Sequence, residues 1–173
     1  MTDPADPNHA PPVVRVAVAT PDQAAMVYQV LREAFAEQAT LDPPTGVASE
    51  TIETITAAIE SGQTIVALQD DAVVGTVRYD LRPASLYLGR LGVPPTHRGN
   101  GIGGALIEWC QEILGPAEGR SVIDVEIRAA LLANIRLFED HGFVGIRRYA
   151  HPRQPAAEVR VLRWRAGGIT ARR

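Results

Sequence analysis

Seven residues, Arg98-Gly99-Asn100-Gly101-Ile102-Gly103-Gly104, place one guanidinium beside a run of small side chains. They fall between a strand-like segment ending at Val93 and a helical pattern that begins near Gly101. The start of a helix leaves backbone N–H groups without partners and carries a partial positive charge. Phosphate binds readily there, and glycine lets a ligand approach the backbone. A guanidinium adds a fixed charge that pairs with phosphate oxygens. Arginine, glycines and a helix start together point to a diphosphate. The plainer reading, a glycine-rich turn with a solvated Arg98, stays open on the loop alone.

Gly99-x-Gly101-x-x-Gly104 also matches the dinucleotide-binding fingerprint. That fingerprint follows its strand directly in a βαβ unit and favours the opening strand of a domain. Here five residues, Pro94 to Arg98, intervene, and a hairpin pattern precedes the strand. The acidic partner expected about twenty positions on has only weak candidates in Glu118 and Asp124. A nucleotide-binding Walker loop is excluded, because no Gly-Lys-Ser/Thr follows.

The elements around this loop are legible from periodicity and breakers. Val13–Ala19 is β-branched, and Thr20-Pro21-Asp22-Gln23 reads as a capping box with proline at the first helical position. Val27, Val30, Leu31, Ala34 and Phe35 then form one helical stripe. Leu41-Asp42-Pro43-Pro44-Thr45-Gly46 is a breaker cluster. Ile52, Ile55, Ala58 and Ile59 mark a second helix that Gly62 stops. Thr64–Leu68 and Val73–Tyr79 predict a hairpin, and Leu86–Val93 a further strand. The helix after the glycine loop should bury Ala105, Leu106, Trp109 and Ile113 and stop at Gly115-Pro116. Val122–Ile127 reads as a strand, Leu132–His141 as a helix ended by Gly142, and Phe143–Tyr149 and Glu158–Trp164 as the last strands. The order predicts a mixed α/β sheet, antiparallel early, with a parallel crossover around the glycine loop.

The chain has 173 residues, 46% apolar and 21% charged, which suits one domain with a full core. We expect a lead-in over residues 1–12, a domain over 13–165 and a loose tail over 166–173. A net charge of −3 argues against a nucleic-acid backbone reader or an anionic membrane surface as partner. One cysteine, Cys110, allows no internal disulfide, and the start lacks a signal-peptide pattern; a cytoplasmic protein is expected.

Arg98-x-x-Gly101-x-Gly103 after Leu91-Gly92-Val93, with Leu137-Phe138-Glu139-Asp140-His141-Gly142-Phe143 downstream, resembles the GNAT superfamily of acetyl-CoA-dependent acetyltransferases. The element order resembles that fold from Val13 to Trp164. The resemblance implies an α/β (α+β) architecture: one mixed, mostly antiparallel, twisted sheet with a parallel, splayed pair of fourth and fifth strands and about four flanking helices. It implies acetyl-CoA as cosubstrate, no metal, and direct attack by a primary amine of a small molecule or protein. The pantetheine arm would lie along the fourth strand, with a backbone N–H near Leu91 or Gly92, beside Val93, meeting the thioester oxygen as its charge grows. Arg98, Gly99, Asn100, Gly101, Ile102, Gly103 and Gly104 would hold the pyrophosphate.

Relatives often place a glutamate on the fourth strand as base, and this strand has no carboxylate. Glu126 is the first candidate, against the reading of a solvated strand end or an ion pair with Arg128. Relatives often have a tyrosine where this chain has Phe138, which can pack against the pantetheine but cannot donate a proton. Asn134 matches a pantetheine-binding asparagine or is a solvent-facing first-turn residue. On the acceptor side, Glu50 suits an ammonium group or a helix first turn. Arg78 and Arg90 suit an acidic substrate or form cross-strand surface charges. His151 borders the site or stands by. Cys110 reads as buried and structural. A homodimer is allowed. Two other classes stay open: a binding or sensing module for acyl-CoA without turnover, and a dinucleotide-binding oxidoreductase.

Overall fold

A computed structural model of the protein describes residues 13–168. The expected lead-in over residues 1–12 and the last five residues of the expected tail lie outside the described residues. One seven-stranded sheet runs through the fold in the order β1-β2-β3-β4-β5-β7-β6. Its strands are β1 (Arg15–Val18), β2 (Thr64–Gln69), β3 (Ala72–Leu81), β4 (Leu86–Gly92), β5 (Val122–Arg128), β6 (Val144–His151) and β7 (Gln154–Arg165). The helices are α1 (Ala24–Ala34), α2 (Ile52–Glu60), α3 (Ile102–Trp109), a short α4 (Gly115–Ala117) and α5 (Leu132–Asp140). Every neighbouring pair of strands is antiparallel except β4 and β5. The sheet is therefore mixed and mostly antiparallel with one parallel crossover, as expected.

Local chemistry explains several elements directly. Gln23 Oε1 accepts the Thr20 N–H at 3.0 Å, and Pro21 opens the turn ahead of α1. Thr51 and Thr54 cap each other at the start of α2, at 2.9 and 3.3 Å. Gly62, with φ +72, closes α2, and Gln63 N–H reaches back to the Ala58 carbonyl at 2.9 Å. Asp70 and Asp71 both adopt positive φ, which suits the tight β2–β3 hairpin.

Alternation along the strands splits the apolar residues onto two faces of the sheet. Ile65, Val74, Leu88, Ile123, Val125 and Leu162 join residues of α3 and α5 in one buried cluster. Val66, Leu68 and Val73 join α1 and α2 in the other. Phe143, 2% exposed, packs edge-on against Phe138 with ring centroids 5.1 Å apart. The Gly142-Phe143 pair thus anchors the end of α5 to the sheet.

Two sequence expectations are corrected here. After α3 the helix continues through a π turn, Cys110–Leu114, into α4. Its buried stripe is Ile102, Leu106, Cys110 and Leu114, spaced by four residues, with Ile107 beside it. A strict four-residue stripe drifts around a helix of 3.6 residues per turn, and the wider turn absorbs the drift. Ala105 and Trp109 are consequently only half-buried, and Ile113 is 52% exposed. Gly115-Pro116 does not stop the run, which continues from the π turn through Ala117; Gly119, with φ +63, follows its end. Strand β7 also begins at Gln154 rather than Glu158, because its hairpin with β6 closes through the pair His151↔Gln154.

Truncating Phe143 to alanine should cost about 3–5 kcal/mol of folding free energy, read from urea unfolding. A loss under about 1 kcal/mol would show that this ring does not hold α5 to the sheet.

Candidate active site

Strands β4 and β5 pair through only three positions, Leu86↔Ile123, Tyr87↔Asp124 and Leu88↔Val125. Beyond them the two strands part. β5 stays paired with β7 as far as Arg128↔Val159, and β4 stays paired with β3 as far as Gly92↔Thr76. Gly89–Gly92 and Glu126–Arg128 therefore face a gap in the middle of the sheet, with no ladder partner across it. Gly92 lies close under α1: a Cβ there would sit 3.1 Å from Ala34 Cβ and from a ring carbon of Phe35.

Two cavities meet at this gap. One, of about 710 Å³, follows Leu91–Val93, the loop His97–Gly104 and residues 130–134 with Leu137. The other, of about 270 Å³, lies among Tyr87, Arg90, Glu126, Arg128, Phe138 and Tyr149. Gln38, Leu91, Leu131 and Asn134 line both. The structure thus brings the expected glycine loop, Leu91, Gly92, Val93, Asn134, Phe138 and Glu126 around one continuous space.

The glycine loop takes the conformation that anion binding needs. Gly99 and Gly101 have φ of +79 and +75, with nothing within 4 Å of a built Cβ. Gly101 is the N-cap of α3, and no side chain caps this helix. Ile102, Gly103 and Gly104, whose amides have no intrahelical partner, line the larger cavity. Gly103 and Gly104 also let α5 come close: a Cβ would sit 3.1 Å from Leu137 Cδ2 and 2.8 Å from His141 Nε2, respectively.

Arg98 is placed differently from the expectation of a free phosphate partner. Its Nη1 donates to Glu37 at 2.8 Å, its Nη2 to the Ala34 carbonyl at 3.0 Å and its Nε to the Val93 carbonyl at 3.1 Å. The guanidinium staples the loop to the end of α1. Asn100 is exposed, and its amide donates to the His97 carbonyl at 3.3 Å.

The three residues singled out for the acceptor form one ion cluster. Glu50 accepts from Arg78 Nη1 at 2.9 Å, Arg78 Nη2 at 3.2 Å, Arg90 Nε at 2.9 Å and the Thr54 hydroxyl at 3.0 Å. Its side chain is 6% exposed. Burial pushes this carboxyl up, but the Arg78 and Arg90 hydrogen bonds outweigh burial and hold it below the usual carboxylate range. Arg78 and Arg90 are therefore paired within the chain rather than as bare surface charges. Glu50 also precedes α2 rather than sitting in its first turn, because Thr51 is the cap.

Arg90 has φ +55, a left-handed conformation that is costly away from glycine. It sits where β4 holds two residues against one on β3, between the pairs Arg78↔Gly89 and Thr76↔Gly92. That is a β-bulge, which bends a strand and re-aims the residues beyond it. The Glu50 bond fixes Arg90 there, and Gly46 makes room: a Cβ on Gly46 would sit 2.7 Å from Arg90 Nη2.

Glu126 is not paired with Arg128. Its Oε2 accepts from the Tyr149 hydroxyl at 2.7 Å and its Oε1 from Arg82 at 3.3 Å. Arg128 instead donates to the Pro43 carbonyl at 2.5 Å. Burial and the Glu126 bond push the Tyr149 phenol up to about 12, so it keeps its proton at neutral pH. Phe138, 5% exposed, lines the smaller cavity. Cys110 is fully buried, and burial pushes its thiol up to about 12, which leaves it structural.

Sequence reasoning missed Tyr149, Arg128 and Tyr87 as lining residues. Tyr149 follows the second motif closely, but its meeting with Glu126 depends on the β5–β7–β6 register.

A family model for the acetyltransferase (GNAT) family matches residues 25–143, and the chain belongs to that family. Among solved structures, the Salmonella typhimurium protein yncA with its cofactor acetyl-CoA is similar at TM-score 0.73 and 17% identity, over 91% of this chain and 96% of that one. The ribosomal-protein-alanine N-acetyltransferase from Brucella melitensis is similar at TM-score 0.73 and 19% identity, over 87% and 99%. An N-acetyltransferase from Staphylococcus aureus Mu50 gives TM-score 0.72 and 15% identity, over 88% and 98%. At these identities the likeness shows the fold. No curated protein sequence matches the chain. The sheet, antiparallel but for one pair, is also not the doubly wound parallel sheet of a dinucleotide-binding oxidoreductase. Among the described residues, no helix is long and apolar enough to cross a membrane.

Replacing Glu50 by glutamine should lower folding free energy at pH 7 by about 1–3 kcal/mol, less than the about 3–5 kcal/mol of a fully buried pair, because the Arg90 side chain is 34% exposed. The folded carboxyl titrates below its unfolded value, so its contribution is full above about pH 4.3 and fades as pH falls through the folded value. Urea unfolding of both proteins should show the gap at pH 7 shrinking toward pH 3; a constant gap would mean that ionised Glu50 does not hold the cluster.

Proposed function

We propose that the protein transfers an acetyl group from acetyl-CoA to a primary amine by direct attack, with both ligands bound together. The observation that carries this reading is the β4–β5 gap, where a cavity from the glycine loop and a cavity containing Glu126 share one wall. Acetyl-CoA supplies an acyl group already activated as a thioester. The residues present fit it: uncapped amides at the start of α3 suit a diphosphate, and the partnerless edge of β4 suits an amide-rich chain.

In this reading the amides of Ile102, Gly103 and Gly104 hold the diphosphate, with Gly99 and Gly101 supplying the left-handed turns that aim them. Arg98 shapes the loop through its staple to Glu37 and the Ala34 and Val93 carbonyls. The bulge at Arg90 aims a backbone N–H at Leu91 or Gly92 toward the gap, where an acyl oxygen gains charge. Asn134, half-buried at the junction, offers an amide to the ligand, and Phe138 closes the apolar wall.

Glu126 accepts the proton that the attacking ammonium must lose. Tyr149 positions that carboxylate and, still protonated at neutral pH, keeps a donor beside the reacting centre. No nucleophilic side chain is required, which accords with the inert Cys110. A module of the same fold that binds acyl-CoA without turnover is favoured by one observation: Phe138, buried in the core, offers no proton to a departing thiolate.

Thiol release with an amine panel separates the two readings; binding without release would favour the module. Gly103→Trp should abolish acetyl-CoA binding in calorimetry, since the side chain meets Leu137 and fills the loop; unchanged affinity would refute the loop assignment. Glu126→Gln should lower kcat about 10²- to 10⁴-fold at neutral pH, and full activity across the pH range would remove Glu126 from the mechanism. Tyr149→Phe should lower kcat while leaving the KM for acetyl-CoA unchanged, because the carboxylate loses the donor that orients it; an unchanged kcat would break the link between Tyr149 and the base.

A further inference from the structure

The smaller cavity is poor in negative charge for a site that receives an amine. Glu126 is its one carboxylate, and Arg82 and Tyr149 already hold it. Three arginines line it: Arg90, Arg128 and Arg153. Arg90 shares Glu50 with Arg78, so that cluster keeps one net positive charge. Among the described residues, Arg128 and Arg153 have no carboxylate within 4.0 Å. Arg128 donates one N–H to a neutral carbonyl, that of Pro43. The nearest acidic group on the covering loop, Asp42, is taken by the Gln154 amide at 2.8 Å.

His151 lies two residues beyond Tyr149 on β6, within electrostatic reach of both arginines. The Arg153 backbone N–H donates to His151 Nδ1 at 3.2 Å, closing the hairpin tip. Burial, and then Arg128 and Arg153, push the His151 imidazole below its usual value, so it adds no third charge at neutral pH. A polycation entering here meets net repulsion. An acceptor with one amine and one anion meets Glu126 at one end and two uncompensated guanidinium groups at the other. The volume of about 270 Å³ lies at the small end of the about 300–1,000 Å³ range of ligand pockets, which favours a small molecule.

We infer that the acceptor is a small amine carrying a carboxylate, an amino acid, whose carboxylate is bound by Arg128 and Arg153 while its amine lies against Glu126. The inference rests on the transferase reading for the amine's fate but not for the binding itself. On transfer, the amine nitrogen bonds to the acetyl carbon as the carbon–sulfur bond breaks. One ammonium proton has gone to Glu126, a second leaves as the amide forms, and CoA departs as thiol or thiolate.

The test uses the full chain with the standard amino acids, their carboxamides, O-phosphoethanolamine and spermidine. Thiol release gives kcat and KM, and calorimetry on protein saturated with CoA gives acceptor binding without turnover. At least one amino acid should show a KM at least tenfold below that of its carboxamide. Arg153→Gln, at an exposed hairpin tip, and Arg128→Gln should each raise that KM about tenfold to hundredfold, and by more than they raise the KM of the carboxamide. Arg128→Lys should recover part of the loss. Equal KM for acid and carboxamide, or preference for spermidine or phosphoethanolamine, would overturn the inference. Amino-acid binding that weakens in Arg153→Gln, without thiol release, would sink the transferase reading and leave this one standing; neither binding nor release would overturn it.

Discussion

Three hydrogen-bonded residue pairs hold β4 against β5, and the opening just beyond them shapes everything else in this protein. A break inside a sheet is ordinarily costly, because two edges of unpaired backbone groups lose their partners. The break is tolerated here because each strand keeps its other neighbour. β5 remains fixed along its whole length by β7, and β4 remains fixed by β3. The edges are therefore rigid yet unsatisfied, a condition that suits a ligand with an extended chain of amides.

Arg90 is the hinge of this arrangement. A left-handed arginine within a strand is held only by surroundings that over-determine it. Those surroundings come from three places in the chain: Gly46 makes room, Glu50 supplies charge and Arg78 steadies Glu50. The loop before α2 is thus tied to two adjacent strands, and the shape of β4 at the gap is coupled to the helical layer above it. The glycine loop has a parallel arrangement, with Arg98 tying it to the end of α1.

The order of elements and the glycine loop were readable from the chain because they depend on local rules: alternation, capping and the punctuation of glycine and proline. The π turn was not readable, since Ile113 and Leu114 are equally apolar and only packing against the sheet decides which one is buried. The type of Arg98 suggested a phosphate partner, but no sequence pattern announced that Glu37 and two carbonyls would hold it. Glu126 could be singled out, yet its neighbours could not, because Tyr149 and Arg82 reach it across register and turn geometry. The separation of Arg78 and Arg90 hid their shared partner for the same reason: Glu50 lies 28 and 40 residues away in the chain.

The breaker segment Leu41–Gly46 reaches across the sheet to strands far along the chain, with Pro43 meeting Arg128 and Asp42 meeting Gln154. The wall of the smaller cavity is therefore assembled from this segment, from β4 and β5 at the gap and from the β6–β7 hairpin. Stretches of chain 85 and 112 residues apart are latched there, so this wall closes only once the last strands of the sheet have found their places.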